Sequence, residues 1–266
     1  MVMLDLLVDV RGNERDAAHL RFAFALASRL HAHLTGMQVI ALDASVIVLP
    51  EPLVVLEHEE TFAHQRRGWW NDCCRRAAID GSWEVRRGVH RRVLVQRASL
   101  ADVLIGRNPS TVSGIVAGTG LLARVLMARV APLILVPDDA ASSSMQRPLV
   151  AWNGSSVSTR AIRAALPFIS SARTVKILAG DKAGRARLAG ADALLRAWLG
   201  RQSLIYDWVE MDPSERPADA ILREADEARC DAIVMGAWGR SRLRELALGG
   251  TCLLYTSDAA DEATIV

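Results

Sequence analysis

Short apolar runs alternate with longer amphipathic stretches along most of the chain. LDLLVDV (4–10), MQVIAL (37–42), SWEVRRG (82–88), ADVLIG (101–106) and APLILVP (131–137) have the length and composition of strands. Between them, helical spacing runs over Arg15–His33, over 56–79, through a short helix after 88 and through a second after 106. The stretch DDAASSSMQRP (138–148) is polar, built of small residues with a proline, and reads as a linker. The order then begins again. PLVAW (148–152), TVKILAG (174–180), SLIYDWVEM (203–211) and CDAIVMG (230–236) are strand candidates, separated by helical patterns at Ser156–Ile169, Arg185–Leu199 and Ala218–Ala228. Both copies place an acid at the start of the fourth strand, Asp102 and Asp231. The pattern predicts an α/β fold with two similar doubly wound domains and parallel sheets, 1–140 and 148–251 about a linker at 141–147. The two domains are expected to pack as an intramolecular pseudo-dimer.

Composition narrows the function classes. The chain has 266 residues, of which 51% are hydrophobic, enough to bury a core in each domain. The net charge of +2 and the scattered arginines argue against nucleic acid as the main partner. Four cysteines (Cys73, Cys74, Cys230, Cys252) form no C-x-x-C pair, and acids interrupt the apolar N-terminus, so a reducing cytoplasm and no signal peptide are expected. Residues 114–137 are apolar enough to suggest a membrane span. Arg124, Arg129 and Pro132 interrupt the run, and it reads as a buried helix followed by a buried strand. All six histidines precede residue 91 without metal-ligand spacing, and they read as ordinary surface residues.

The chemistry-bearing stretch is GAWGRSRLRELALGG (236–250), directly after the predicted fourth strand. Ligands of open parallel sheets bind outside the carboxyl ends of the strands, where strand order reverses. A glycine at Gly236 lets a phosphate or ribose approach the backbone, Gly239 permits an amide-lined turn, and Gly249 with Gly250 would open the next helix. The same spacing also suits glycines that serve only turns and a helix cap.

In these residues the second half resembles the universal stress protein family, which carries G-x-x-G-x(9)-G followed by Ser or Thr after its fourth strand. PLVAWNGSSVSTRAI resembles the family's first strand and loop, and CDAIVMGAWGRSRLRELALGG its signature. Over residues 1–140 only the order of elements and WEVRRG…RASLADVLIG carry the likeness. The resemblance implies an adenine-nucleotide alpha-hydrolase-like fold with a five-stranded parallel sheet and dimerisation through the last strand, within the chain or as a homodimer. It also implies ATP binding by some members. Carried over, the nucleotide-binding residues are Asn153, Gly154, Ser155, Gly236, Gly239, Arg240, Gly249, Gly250 and Thr251. Three positions depart from the family pattern. Gly250 stands where a hydroxyl residue follows the glycine, leaving Thr251 to substitute, and Asn153 replaces an aspartate that many binders carry. The first domain follows Gly106 with Arg107, Asn108 and Pro109 and has Arg11 near the acidic position, so no nucleotide is expected there.

The stretch CLLYTSDAADE back-translates, with suitable codons, into a transposase-type sequencing adapter, so 252–266 reads as an artefactual tail. The second domain is then truncated at its last helix and strand, with ATIV at most imitating the fifth strand expected near 260–266. The function expected is adenine-nucleotide binding with a regulatory, non-catalytic role in stress response, with Mg²⁺ only as a companion of the nucleotide. The second domain contains no histidine and no paired carboxylates near the glycines, which does not indicate an efficient hydrolase. Two further readings stay open. One is slow ATP hydrolysis, with Arg240 steadying charge and Asp207 or Asp231 helping a metal. The other is a ligand-free dimerisation or interaction module, which Gly250 and Asn153 favour.

Overall fold

The computed structural model describes residues 3–42, 51–107, 131–138, 140, 145–180, 190–236 and 263–265. The described residues divide into two compact units, one over 3–42, 51–107 and 131–138, the other over 140, 145–180, 190–236 and 263–265. In the first unit the elements are β1 (Asp5–Asp9), α1 (Ala18–Leu30), β2 (His33–Ala41), α2 (Pro52–Gln65), α3 (Arg67–Ala77), β3 (Gly81–Gly88), α4 (His90–Ala98), β4 (Val103–Arg107) and β5 (Leu133–Val136). They form a parallel sheet of order β3-β2-β1-β4-β5. The second unit holds β6 (Pro148–Trp152), α5 (Ser156–Ile169), β7 (Val175–Ala179), α6 (Ala191–Arg201), β8 (Tyr206–Glu210), α7 (Pro217–Glu227), β9 (Ala232–Val234) and β10 (Ala263–Ile265). Its order is β8-β7-β6-β9-β10, again parallel. Each unit therefore has its switch point beside its first strand, between β1 and β4 or between β6 and β9. The short β10 pairs with β9 where a fifth strand or its imitation was expected.

Several boundaries differ from the sequence expectation, and β8 starts at Tyr206, three residues later than the run from Ser203 suggested. Helix α1 stops at Leu30 because His31 takes a left-handed conformation (φ 50°), its N–H returning to the carbonyls of Ala27 and Ser28. Strand β2 consequently starts at His33, four residues earlier than the apolar run suggested. The helical stretch 56–79 is two helices, α2 and α3, meeting at Arg66. The predicted helix at 114–130 lies outside the described residues, while the strand that follows it is β5.

The acids at the start of the fourth strands are register clamps. The Asp102 carboxylate accepts the Asp5 amide at 2.8 Å, while the Asp102 amide donates to the Asp5 carbonyl. Likewise Asp231 accepts the amides of Gln146 and Arg147, both at 2.8 Å, and its own amide donates to the Arg147 carbonyl. An ionised acceptor makes the stronger kind of hydrogen bond. Each clamp ties the start of the unit's first strand to the start of its fourth.

With Asp5 matched to Arg147, the strand pairings align position by position. Thr35 pairs with Leu7 as Lys176 pairs with Leu149. Both positions bond the helix that follows the edge strand, with opposite polarity. In the first unit Arg97 on α4 donates to Thr35 at 3.2 Å and pairs with Asp5 and Glu84. In the second unit Glu224 on α7 accepts from Lys176 at 2.7 Å. Each edge strand also carries a tryptophan beneath a guanidinium: Trp83 under Arg66, and Trp208 under Arg196 at 3.8 Å.

Helix α3 lies close on its sheet because two strand positions are glycines. A Cβ at Gly36 would fall 2.7 Å from the ring of the fully buried Trp70, and one at Gly81 would fall 2.6 Å from Cys74 Sγ. Trp70 stacks against Phe24 and Trp83 at 5.0 and 5.5 Å. In the second unit Leu149, Leu178, Ile221, Ile233 and Met235 fill the space under α7.

Two substitutions test these contacts by urea denaturation. Gly36→Ala is expected to destabilise the chain by roughly 1–3 kcal/mol, because a rigid indole has to move. Asp231→Ala is expected to cost about 1–3 kcal/mol by leaving backbone amides without their acceptor.

Candidate functional site

In the second unit the carboxyl ends of β6 and β9 meet the start of α5. The loop Asn153-Gly154-Ser155 leaves β6 through a left-handed glycine (Gly154, φ 73°). Asn153 Oδ1 accepts the Ser155 amide at 3.1 Å, closing a tight turn. Ser155 is the N-cap of α5: its Oγ accepts the Ser158 amide at 3.2 Å, and its carbonyl accepts from Ser158 Oγ and Thr159 Oγ1. That leaves Ser156 and Val157, the first two helical residues, with amides that no helix can satisfy internally. The helix presents these amides and the positive end of its dipole at the switch point. Trp152, at the end of β6, is held by its indole N–H on Asp192 Oδ1 at 2.9 Å.

Gly236 lies against this helix start. A Cβ there would fall 2.6 Å from Val157 Cγ1 and 3.2 Å from the Ser158 amide nitrogen. Its missing side chain is thus filled by the protein itself. The sequence reading gave that space to a ligand; the structure gives it to the helix, which Gly236 admits against the end of β9. Asn153, Gly154, Ser155 and Gly236 are therefore brought together. Gly239, Arg240, Gly249, Gly250 and Thr251 lie outside the described residues. Asp231 and Asp207, the acids that a hydrolase reading would use, stand at the amino ends of their strands. Five residues at ~3.3 Å each put Asp231 about 16 Å from Gly236, at the wrong end of the sheet for that role.

The first unit builds the same place differently. Val8 pairs with Ile105 as Val150 pairs with Val234, so the counterpart of Gly236 is Arg107. The Arg107 guanidinium bonds Asp138 (2.6 Å to Oδ2) and approaches Glu14 at 3.6 Å. Helix α1 starts only at Ala18, after a loop that turns at Gly12 (φ 46°). That loop is pinned by the buried Arg66, which donates to the carbonyls of Gly12 and Glu14 and to Gln38 Oε1 while stacking on Trp69. Asp9, at the end of β1, is buried and receives His90 at 3.0 Å and Arg11 at 3.1 Å. Burial pushes the Asp9 carboxyl up, but His90 and Arg11 more than reverse it and hold it below the ordinary carboxylate range. The described end of this first crevice is occupied by its own ion pairs.

The histidines correct a second expectation. His19 is fully buried, its Nε2 donating to the Asp9 carbonyl at 3.1 Å while Nδ1 has no partner among the described residues. Burial pushes its imidazole below the usual value, with Glu14 and Asp9 pulling the other way. His33 bonds Asp80 and Ser82, and His90 serves Asp9. Neither the buried Arg66 nor the buried His19 was visible in the sequence, where each occupies an amphipathic stretch that reads equally well with it at the surface. Among the described residues no His, Cys, Asp and Glu cluster could hold a metal, and no helix is long and apolar enough to cross a membrane.

Comparison with known proteins places this architecture. Residues 213–252, from the turn before α7 through the glycine-rich stretch, match the model of the universal stress protein family. A universal stress protein from Archaeoglobus fulgidus DSM 4304 superposes with a TM-score of 0.70 at 14% identity, over 98% of this chain and 95% of that one. The chain has the universal stress protein fold, and one segment of it matches that family's model. A functionally unknown protein from Pseudomonas aeruginosa PAO1 superposes with a TM-score of 0.61 at 12% identity, over 99% of this chain and 92% of its own. At such identities the likeness establishes the fold alone. No curated protein matches the chain in sequence. The family segment lies in the unit whose helix start and glycine meet at the switch point, not in the unit closed by ion pairs.

Two outcomes are expected from this geometry. Gly236→Ala should lower stability by roughly 1–3 kcal/mol in urea denaturation with no ligand present, because the added methyl meets helix backbone. For His19, burial makes the folded state bind a proton less readily than the unfolded state, whose imidazole titrates near pH 6.5. Stability should therefore fall as pH falls from 7.5 to 5.5, by at most about 1.4 kcal/mol per pH unit, and His19→Gln should flatten that slope.

Proposed function

We propose that the second unit binds an adenine nucleotide, ATP with Mg²⁺ as its companion, in a regulatory, non-catalytic role of the stress-response type. One observation carries the reading. The capped start of α5, the Asn153–Ser155 loop and Gly236 converge at the switch point, and the family segment runs onward from there. The α5 amides and dipole would favour the phosphates. Gly239, Arg240, Gly249, Gly250 and Thr251 would complete the cradle, with Thr251 supplying the hydroxyl that Gly250 lacks. Occupancy would then shift a conformational or association equilibrium by its differential affinity for the two states.

A ligand-free interaction module is the second reading, and the loop geometry favours it. Asn153 Oδ1 and Ser155 Oγ already accept hydrogen bonds within their own turn and cap, so neither atom waits for a ligand.

Calorimetric titration of the protein with ATP separates the two. Nucleotide binding predicts an affinity on the order of micromolar, lost at least about tenfold in Gly239→Asp. A folded protein that binds no adenine nucleotide would overturn the proposal and leave the interaction module. Gly236 is not the residue to mutate for this purpose, since its loss disturbs the helix seat whether or not a nucleotide binds.

A further inference from the structure

We propose that copies of this chain associate head to tail, the β3–α4 edge of one copy taking the β8–α7 edge of the next. Strand β3 pairs only with β2, and β8 only with β7, so each leaves one row of backbone groups unpaired within the described structure. The two edges carry opposite charge. Arg86 and Arg87 close β3, and Arg91 and Arg92 follow in the first turn of α4. On the other edge stand Asp207 and Glu210 on β8 and Asp212 just beyond it, all exposed.

The basic edge is out of balance with its own fold. Arg86 is held by Glu84 and Arg87 by Glu60. Arg91 and Arg92 have no acidic partner among the described residues, and they sit at the positive end of a helix with no acid in its first turn and no side-chain cap at Val89. An acidic surface laid against that helix start relieves both the charge crowding and the dipole. The β8 edge supplies one: Asp207 forms no ion pair among the described residues, and the Asp212 carboxylate is hydrogen-bonded only by Ser214. Each edge also exposes an apolar residue near its charges, Val89 at 40% on one and Ile205 at 82% on the other. Because the two surfaces differ, the contact is heterologous and propagates from copy to copy unless the rotation closes a ring. This inference is independent of nucleotide binding.

Sedimentation velocity over a concentration series tests it, at about 50 mM and about 500 mM salt, on either side of a Debye length of ~10 Å. The unmodified chain should grow in mass with concentration at low salt, and high salt should weaken association on the order of tenfold. Arg91→Gln with Arg92→Gln, or Asp207→Asn with Glu210→Gln, should each abolish growth. Mixing the two variants should give a discrete 1:1 complex and nothing larger, since each retains one intact edge. Absence of growth at low salt, growth that both variants leave unchanged, or a mixture that forms no complex would each overturn the proposal. So would an unassociated chain that binds polyglutamate, which would assign the basic edge to a foreign acidic segment. Should a variant fail to fold, the salt series on the unmodified chain still decides.

Discussion

The register of the first strand against the fourth governs where everything else in each unit falls. In both units an aspartate at the amino end of the fourth strand grips the amide that opens the first strand. A slip of one residue would turn every side chain of that strand to the opposite face. With the register held, β6 and β9 end together, so the loop after β6 and the glycine after β9 reach the same helix start. The clamp lies at one end of the sheet and the candidate site at the other, connected by strands that contain only a few residues each.

Given the same frame, the units diverge at matched positions. Where the second unit has Gly236 and brings a helix start against the strand, the first has Arg107, a longer loop and a helix that begins later. Arg107 would collide with a helix seated as α5 is, and Gly236 could not reach an acid across the crevice. The choice of one residue thus goes with the choice of loop. The same exchange occurs beneath the helices, where Arg97 faces a threonine and two acids while Glu224 faces a lysine. Buried charge tolerates reversal only when both partners change, because a single reversal leaves an unpaired charge out of water. The two polar links therefore preserve a mechanical role, tying a helix to the strand beside the edge, without preserving a chemical identity.

Much of the architecture was legible because strand-length apolar runs and helical periodicity alternate so regularly, and because the acids of ADVLIG and CDAIVMG marked equivalent points. What was not legible depends on long-range packing. His31 ends a helix in a left-handed conformation that a glycine would have announced and a histidine does not. Arg66 looks like one of several arginines on an amphipathic helix, and only the fold shows it reaching carbonyls 52 and 54 residues away. His19 became a core residue because the Asp9 carbonyl needed a donor there. The alignment of Asp102 with Asp231 already sets Arg107 opposite Gly236, but nothing in the sequence shows that Arg107 turns to Asp138 and Glu14.

Gly236 also shows why a glycine in a signature does not identify its own reason. A residue without a Cβ admits whatever approaches its backbone, and a phosphate and a helix are equivalent in that respect. Here the approaching atoms belong to Val157 and Ser158. The role assigned to the glycine is indirect: it seats the helix, and the seated helix presents amides and a dipole where a phosphate could lie. A residue in that position acts on binding through stability and placement together. Its mutation would weaken a nucleotide complex and an empty fold alike, so only positions further along the glycine-rich stretch can separate the two.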